Sequence, residues 1–129
     1  MKKLLLIFTL LFTSVFFSSP SYAEWTKVLE VQGNTFYVDF DKIKKTDDYV
    51  YFWQLVDLSK PTEQGVLSDK SYLQGSCKLL QFKSLSFSSY KKPMGGETPS
   101  ESSNKPDTEW IKTPPNSAIE TVLKSVCSR

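Results

Sequence analysis

Apolar positions along this chain fall into three regimes: a continuous run at the start, short alternating segments through the middle, and one helical stripe at the end. Leu4 to Phe17 is apolar apart from Thr9, Thr13 and Ser14; Lys2 and Lys3 precede it and Ser18-Ser19-Pro20-Ser21-Tyr22-Ala23 follows. This pattern predicts a secretory signal peptide over residues 1–23, with Ser21 and Ala23 as the small residues read at positions −3 and −1. The run is shorter than the roughly twenty residues a bilayer-spanning helix needs, so no membrane span is expected after cleavage. No cysteine stands at Glu24, where the mature chain would begin. The expected product is therefore exported, periplasmic or secreted, and not lipid-anchored.

The alternating regime begins at Trp25 to Val31, a strand with Trp25, Leu29 and Val31 on one face and Thr26 and Glu30 on the other. Gln32-Gly33-Asn34 is a hairpin turn, and Thr35 to Phe40 pairs back on the first strand. Asp41 to Asp48 reads as a turn or one helical turn capped by Asp39 or Asp41. Tyr49 to Leu58 is the strongest strand. Tyr49, Tyr51, Trp53 and Leu55 lie on one side, and Val50, Phe52, Val56 and Leu58 on the other. A strand apolar on both faces is central and covered on both sides, at least in part. Lys60 to Gly65 is a polar turn. Val66 to Gln74 and Cys77 to Tyr90 follow as extended segments separated at Gly75-Ser76. Leu80 and Phe82 are out of phase with Leu85 and Phe87, which predicts a bulge near Lys83-Ser84.

From about 88 to 108 the chain is too polar to bury a core, and a mobile loop is expected. Glu109-Trp110-Ile111 adds a short last strand, stopped by Pro114-Pro115. Ser117 and Glu120 form a capping box, and Ile119, Val122, Leu123 and Val126 recur at helical spacing. This helix is the natural cover for the second face of the sheet, giving an α+β fold.

The mature chain, residues 24–129, has a length that fits one domain. The formal charge of +2 comes from Lys2 and Lys3, so the mature part carries 14 basic and 14 acidic residues. That balance argues against a nucleic-acid partner. Cys77 and Cys127 are the only cysteines. In an oxidising compartment an even count favours one intramolecular disulfide; two free buried thiols or an intermolecular bridge are the alternatives.

The sequence has no histidine, which removes Ser-His-Asp and Cys-His catalysis and every His-ligated metal site. No phosphate-binding or dinucleotide glycine motif is present. The expectation is no enzyme, no cofactor, no metal and no catalytic residue. Asp39 and Asp41, with Asp47-Asp48 nearby, are read as cap and turn residues ahead of an acid–base or ion role. The stretch from Phe82-Lys83 to Tyr90-Lys91-Lys92 would suit a single strand of nucleic acid or an anionic glycan, but a solvated edge strand is the better reading. Tyr49, Tyr51 and Trp53 are read as core under the C-terminal helix ahead of an exposed aromatic binding face.

An ordered set of landmarks then carries a resemblance. It runs Trp25, then Tyr37-Val38-Asp39, Val50-Tyr51-Phe52-Trp53, Ser68-Asp69-Lys70 just before Cys77, and finally Trp110, Pro115, Asn116-Ser117 and Cys127. The chain resembles the surface-adhesin protein E-like family of small exported bacterial domains over essentially its whole mature length. The resemblance implies a six-stranded antiparallel sheet with a C-terminal helix packed on it, and a Cys77–Cys127 disulfide tying helix to sheet. It also implies an adhesin-like binding module for a protein or extracellular-matrix ligand. The leading expectation is such a module, acting through its loops or an exposed sheet edge. The alternative is a periplasmic accessory protein acting on a cell-envelope component. A small hydrolase built on the aspartates is a distant third. Ligand identity, binding residues and oligomeric state are not legible.

Overall fold

A period-two segment persists only when a neighbouring strand takes its backbone hydrogen bonds, and the middle of this chain supplies such neighbours in sequence. The computed structural model describes residues 23–129; the expected signal peptide, apart from Ala23, lies outside the described residues. The strands are β1 (Thr26–Val31), β2 (Asn34–Val38), β3 (Lys44–Lys45), β4 (Val50–Asp57), β5 (Ser68–Ser76), β6 (Gln81–Tyr90), β7 (Glu101–Ser103) and β8 (Ile111–Lys112), and the helix α1 spans Ala118–Cys127. The sheet is antiparallel, in the order β1-β2-β4-β5-β6-β7, with β3 added to β4 and β8 to β6. The six ordered strands and the single C-terminal helix are the architecture that the family resemblance implied.

The core lies between α1 and one face of the sheet. Val122, Leu123 and Val126 are fully buried and pack with Val38, Val50, Phe52 and Leu73. Gly75 sits directly beneath the helix, where an added Cβ would come within 2.4 Å of Leu123 Cδ1 and 3.2 Å of Val50 Cγ2. Ser117 caps the helix by accepting from the Glu120 N–H at 3.2 Å. Glu120 reaches back to accept from the Asn116 N–H at 3.2 Å, one residue before the cap. The Cys77–Cys127 disulfide closes the helix onto the sheet, with Cα atoms 5.8 Å apart and a sequence separation of 50.

Several local expectations are corrected. In β1 the register slips between Lys27 and Leu29. This bulge at Val28 sends Leu29 to the helix side opposite Phe36 and leaves Trp25 on the other side, so the two do not share a face. β5 runs through Gly75-Ser76 and the break comes at the turn Cys77–Leu80, because Gly75 is needed in the strand under Leu123. The bulge expected near Lys83-Ser84 is present, at the adjacent Leu85, since Tyr72 pairs with Ser86 and Leu73 with Ser84.

The 88–108 segment also carries structure. Its first three residues belong to β6, and Ser89 and Tyr90 are buried. A single 3₁₀ turn follows at Pro93–Gly95, with Met94 in the left-handed region at φ 57°. The Ser68 hydroxyl donates to Lys92 O at 2.7 Å and accepts from the Gly95 N–H at 2.8 Å. Asp57 accepts from the Met94 N–H at 2.8 Å. Further on, β7 pairs with β6 from Phe87 to Ser89. Polarity had suggested a free loop, but these backbone groups find partners on the sheet.

Candidate binding face

Because successive side chains in a strand point to opposite faces, the register decides which residues share the surface away from α1. Val50 and Phe52 point to the helix, so Tyr51, Trp53 and Leu55 point the other way. Their partners in β5 are Gln74, Tyr72 and Lys70. Lys83 of β6 pairs with Gln74, and Trp110 precedes β8. The expectation of a core position for Tyr49, Tyr51 and Trp53 is thereby corrected: the helix covers the opposite face, and these rings stay half-buried. The Pro93–Gly95 turn overlies one corner of this side, where Gly95 lies against Leu55 and Tyr90.

The rings cover one another. Trp53 and Tyr72 lie 4.9 Å apart between ring centres, Tyr51 and Tyr72 6.5 Å, and Tyr49 and Trp110 5.2 Å. Gln74 Nε2 donates to the Tyr51 hydroxyl at 3.1 Å. Two lysines are threaded through this surface. The Lys70 ammonium stands 5.9 Å from the Trp53 ring centre and 5.6 Å from that of Tyr90, and Lys83 stands 4.9 Å from that of Trp110. These are cation–π distances. Among the described residues the ion pairs are Lys27–Glu30, Lys42–Asp39 and Lys124–Glu120, so neither Lys70 nor Lys83 has a carboxylate partner there. Burial, and then the charge of Tyr51, push the Tyr72 phenol above its ordinary value.

Next to Trp53 the face deepens into an open cleft of about 220 Å³ lined by Ala23, Trp25, Asp39, Lys42, Trp53 and Lys70. Asp39 follows β2 directly and caps the 3₁₀ turn Phe40–Lys42, its Oδ1 accepting from the Asp41 N–H at 3.2 Å. Its other oxygen is buried and has no hydrogen-bond partner; the Lys42 ammonium lies 4.0 Å away. Asp41, Asp47 and Asp48 are exposed. A hydrogen bond with Asp41 and then its charge raise the fully exposed Glu24 carboxyl. These exposed carboxyls form no enclosed acid–base site with Asp39. Among the described residues no group of three or more carboxylates, cysteines or histidines is arranged for a metal ion, and no helix is long and apolar enough to cross a membrane.

The Lys/aromatic stretch of β6 divides between the faces. Phe82 packs toward the helix and Lys83 lies on the open side, while β7 and β8 cover its two ends. Residue-type reasoning missed Lys70 and Tyr72 as members of the same surface as Trp53. Their even-numbered alternation opposite Leu73 and Gly75 was the available signal.

No curated protein matches the chain. Residues 25–128 match the family model described as surface-adhesin protein E, a span that runs from Trp25 through the whole sheet and both cysteines. With the ordered sheet, the docked helix and the disulfide in place, the chain belongs to the surface-adhesin protein E family.

Proposed function

We propose that the protein is a non-enzymatic exported binding module that engages an extracellular-matrix ligand through the open face of its sheet. The Trp53–Tyr72 pair, flanked by Lys70 and Lys83 on the side away from the helix, carries this reading. Tyrosine and tryptophan offer large contact area for little lost rotamer freedom, and they concentrate where proteins bind partners. The two unpaired ammonium groups add charge to steer an anionic partner and fix its register. Family membership supports an adhesive role, and the disulfide supports export into an oxidising compartment. The face is a better seat than the β1 edge, which is bulged and carries the exposed Lys27–Glu30 ion pair. Such features discourage strand addition.

The test compares binding to immobilised basement-membrane extract for the wild type, for Trp53→Ala/Tyr72→Ala and for the helix-surface variant Lys124→Ala. The double variant should bind at least about tenfold more weakly, as loss of a central aromatic pair implies, and Lys124→Ala should match the wild type. Equal binding by all three would contradict the reading. A parallel arm with bacterial envelope extract separates it from an accessory role at the cell envelope.

A further inference from the structure

The cleft beside Trp53 combines features that narrow the ligand class. Asp39 is 1% exposed and keeps one carboxylate oxygen without a hydrogen bond. A buried acceptor left unpaired is costly, and each such atom calls for a donor. Among the described residues its one ion-pair partner, Lys42, sits at 4.0 Å on a side chain 45% exposed, which is free to swing aside. Trp25 and Trp53 supply apolar walls, and Lys70 supplies an ammonium that no described carboxylate neutralises. We propose that this cleft seats an acidic sugar residue, a pyranose of the uronic-acid kind, with its ring on the tryptophan walls, a hydroxyl donated to Asp39 Oδ2 and its carboxylate on Lys70. This rests on the reading of the open face as the binding surface and names the ligand chemistry of the cleft beside Trp53.

Other ligand classes fit less well. The C–H face of a sugar ring is weakly positive and suits the negative face of an indole. A bare anion answers Lys70 but offers no donor to Asp39. A cation meets two ammonium groups. A neutral sugar leaves Lys70 unpaired, and an apolar ligand buries Asp39 further without satisfying it. A carboxylated polyol presents both a hydroxyl donor and an anion. Ala23 is the last residue of the expected signal peptide, and the five other lining residues all belong to the mature chain.

The experiment titrates the mature exported protein with oligosaccharides, read by tryptophan emission, to which Trp25 and Trp53 of the cleft contribute. The probes are a hyaluronan hexasaccharide, a mannuronate hexasaccharide from alginate and neutral chitohexaose. At least one uronate should give a saturable change, with chitohexaose at least about tenfold weaker, the scale of a lost charge-assisted contact. Lys70→Gln should weaken uronate binding by a similar factor, and Lys124→Gln, on the exposed surface of the helix, should leave it unchanged. Near-UV circular dichroism checks that each variant is folded. A response to hyaluronan alone assigns the sugar to a host-matrix source; one to the mannuronate alone assigns it to a bacterial polysaccharide. No response to either uronate, an equal response to chitohexaose, or an unaffected Lys70→Gln variant would overturn the proposal. The open-face reading would survive that failure if Trp53→Ala/Tyr72→Ala still loses binding to basement-membrane extract.

Discussion

Ser68 shows how one hydroxyl can fix a segment that composition marks as a loop. It is fully buried and joins Lys92 O to the Gly95 N–H across 24 to 27 residues. Ser68→Ala would leave the Gly95 donor without its partner, at a cost of about 1–3 kcal/mol. Chemical denaturation of wild type and variant measures it, and a change below a few tenths of a kcal/mol would show that the turn does not depend on this contact. Tyr72 supports a prediction about pH. Its phenol is raised in the folded chain, so the neutral form is the one that folding favours. That contribution is complete below the ordinary phenol value of about 10 and is lost as pH rises through the raised value. Between about pH 9 and about pH 11 the wild type should lose more stability than Tyr72→Phe; equal losses would contradict it. At this scale the sequence was partly legible. The Asp39 cap and the Ser117–Glu120 box follow from local chemistry within a few residues. The roles of Ser68 and of the free Asp39 oxygen depend on distant chain and left no local mark.

Among the elements, α1 carries the argument about stability. Its stripe is legible because a period of 3.6 is visible in ten residues, and Val122, Leu123 and Val126 are buried as that stripe requires. A helix of this length is marginal alone, so packing and the Cys77–Cys127 bond must hold it. Cys77→Ser/Cys127→Ser should lower stability by about 2–5 kcal/mol. Amides from Ile119 to Val126 should gain hydrogen exchange before those of β4 and β5, because the helix can undock while the sheet persists. Protection of the helix at wild-type levels in the double variant would mean that packing alone anchors it. The strand phases were harder to read. Each bulge inserts one residue and inverts the faces beyond it, as Val28 does for Leu29. Alternation alone placed Trp25 and Leu29 together for that reason. For β4, both faces are rich in large side chains, and apolarity could not choose the helix side. The chemical distinction was present: Val50 and Phe52 have no polar atom, whereas Tyr51 and Trp53 keep a hydroxyl and an indole N–H that favour a wet boundary.

At the scale of the whole molecule, one sheet separates two environments. The helix side is sealed by aliphatic and phenylalanine packing and closed by the disulfide. The other side holds a ring cluster with two lysines and a cleft, and the Pro93–Gly95 turn covers only its corner. Cross-strand aromatic pairs also stabilise a sheet, by about 0.2–1 kcal/mol each, so loss of a ring tests folding and binding together. A footprint on the intact chain separates the two. The most direct measurement is hydroxyl-radical labelling of the wild-type protein, free and bound to immobilised basement-membrane extract. Binding through the open face predicts protection of Trp53, Tyr72 and Trp110, with Leu79, which is 59% exposed, and Phe40 labelled as in the free protein. Protection of Leu79 and Phe40 with Trp53, Tyr72 and Trp110 unchanged would contradict the account.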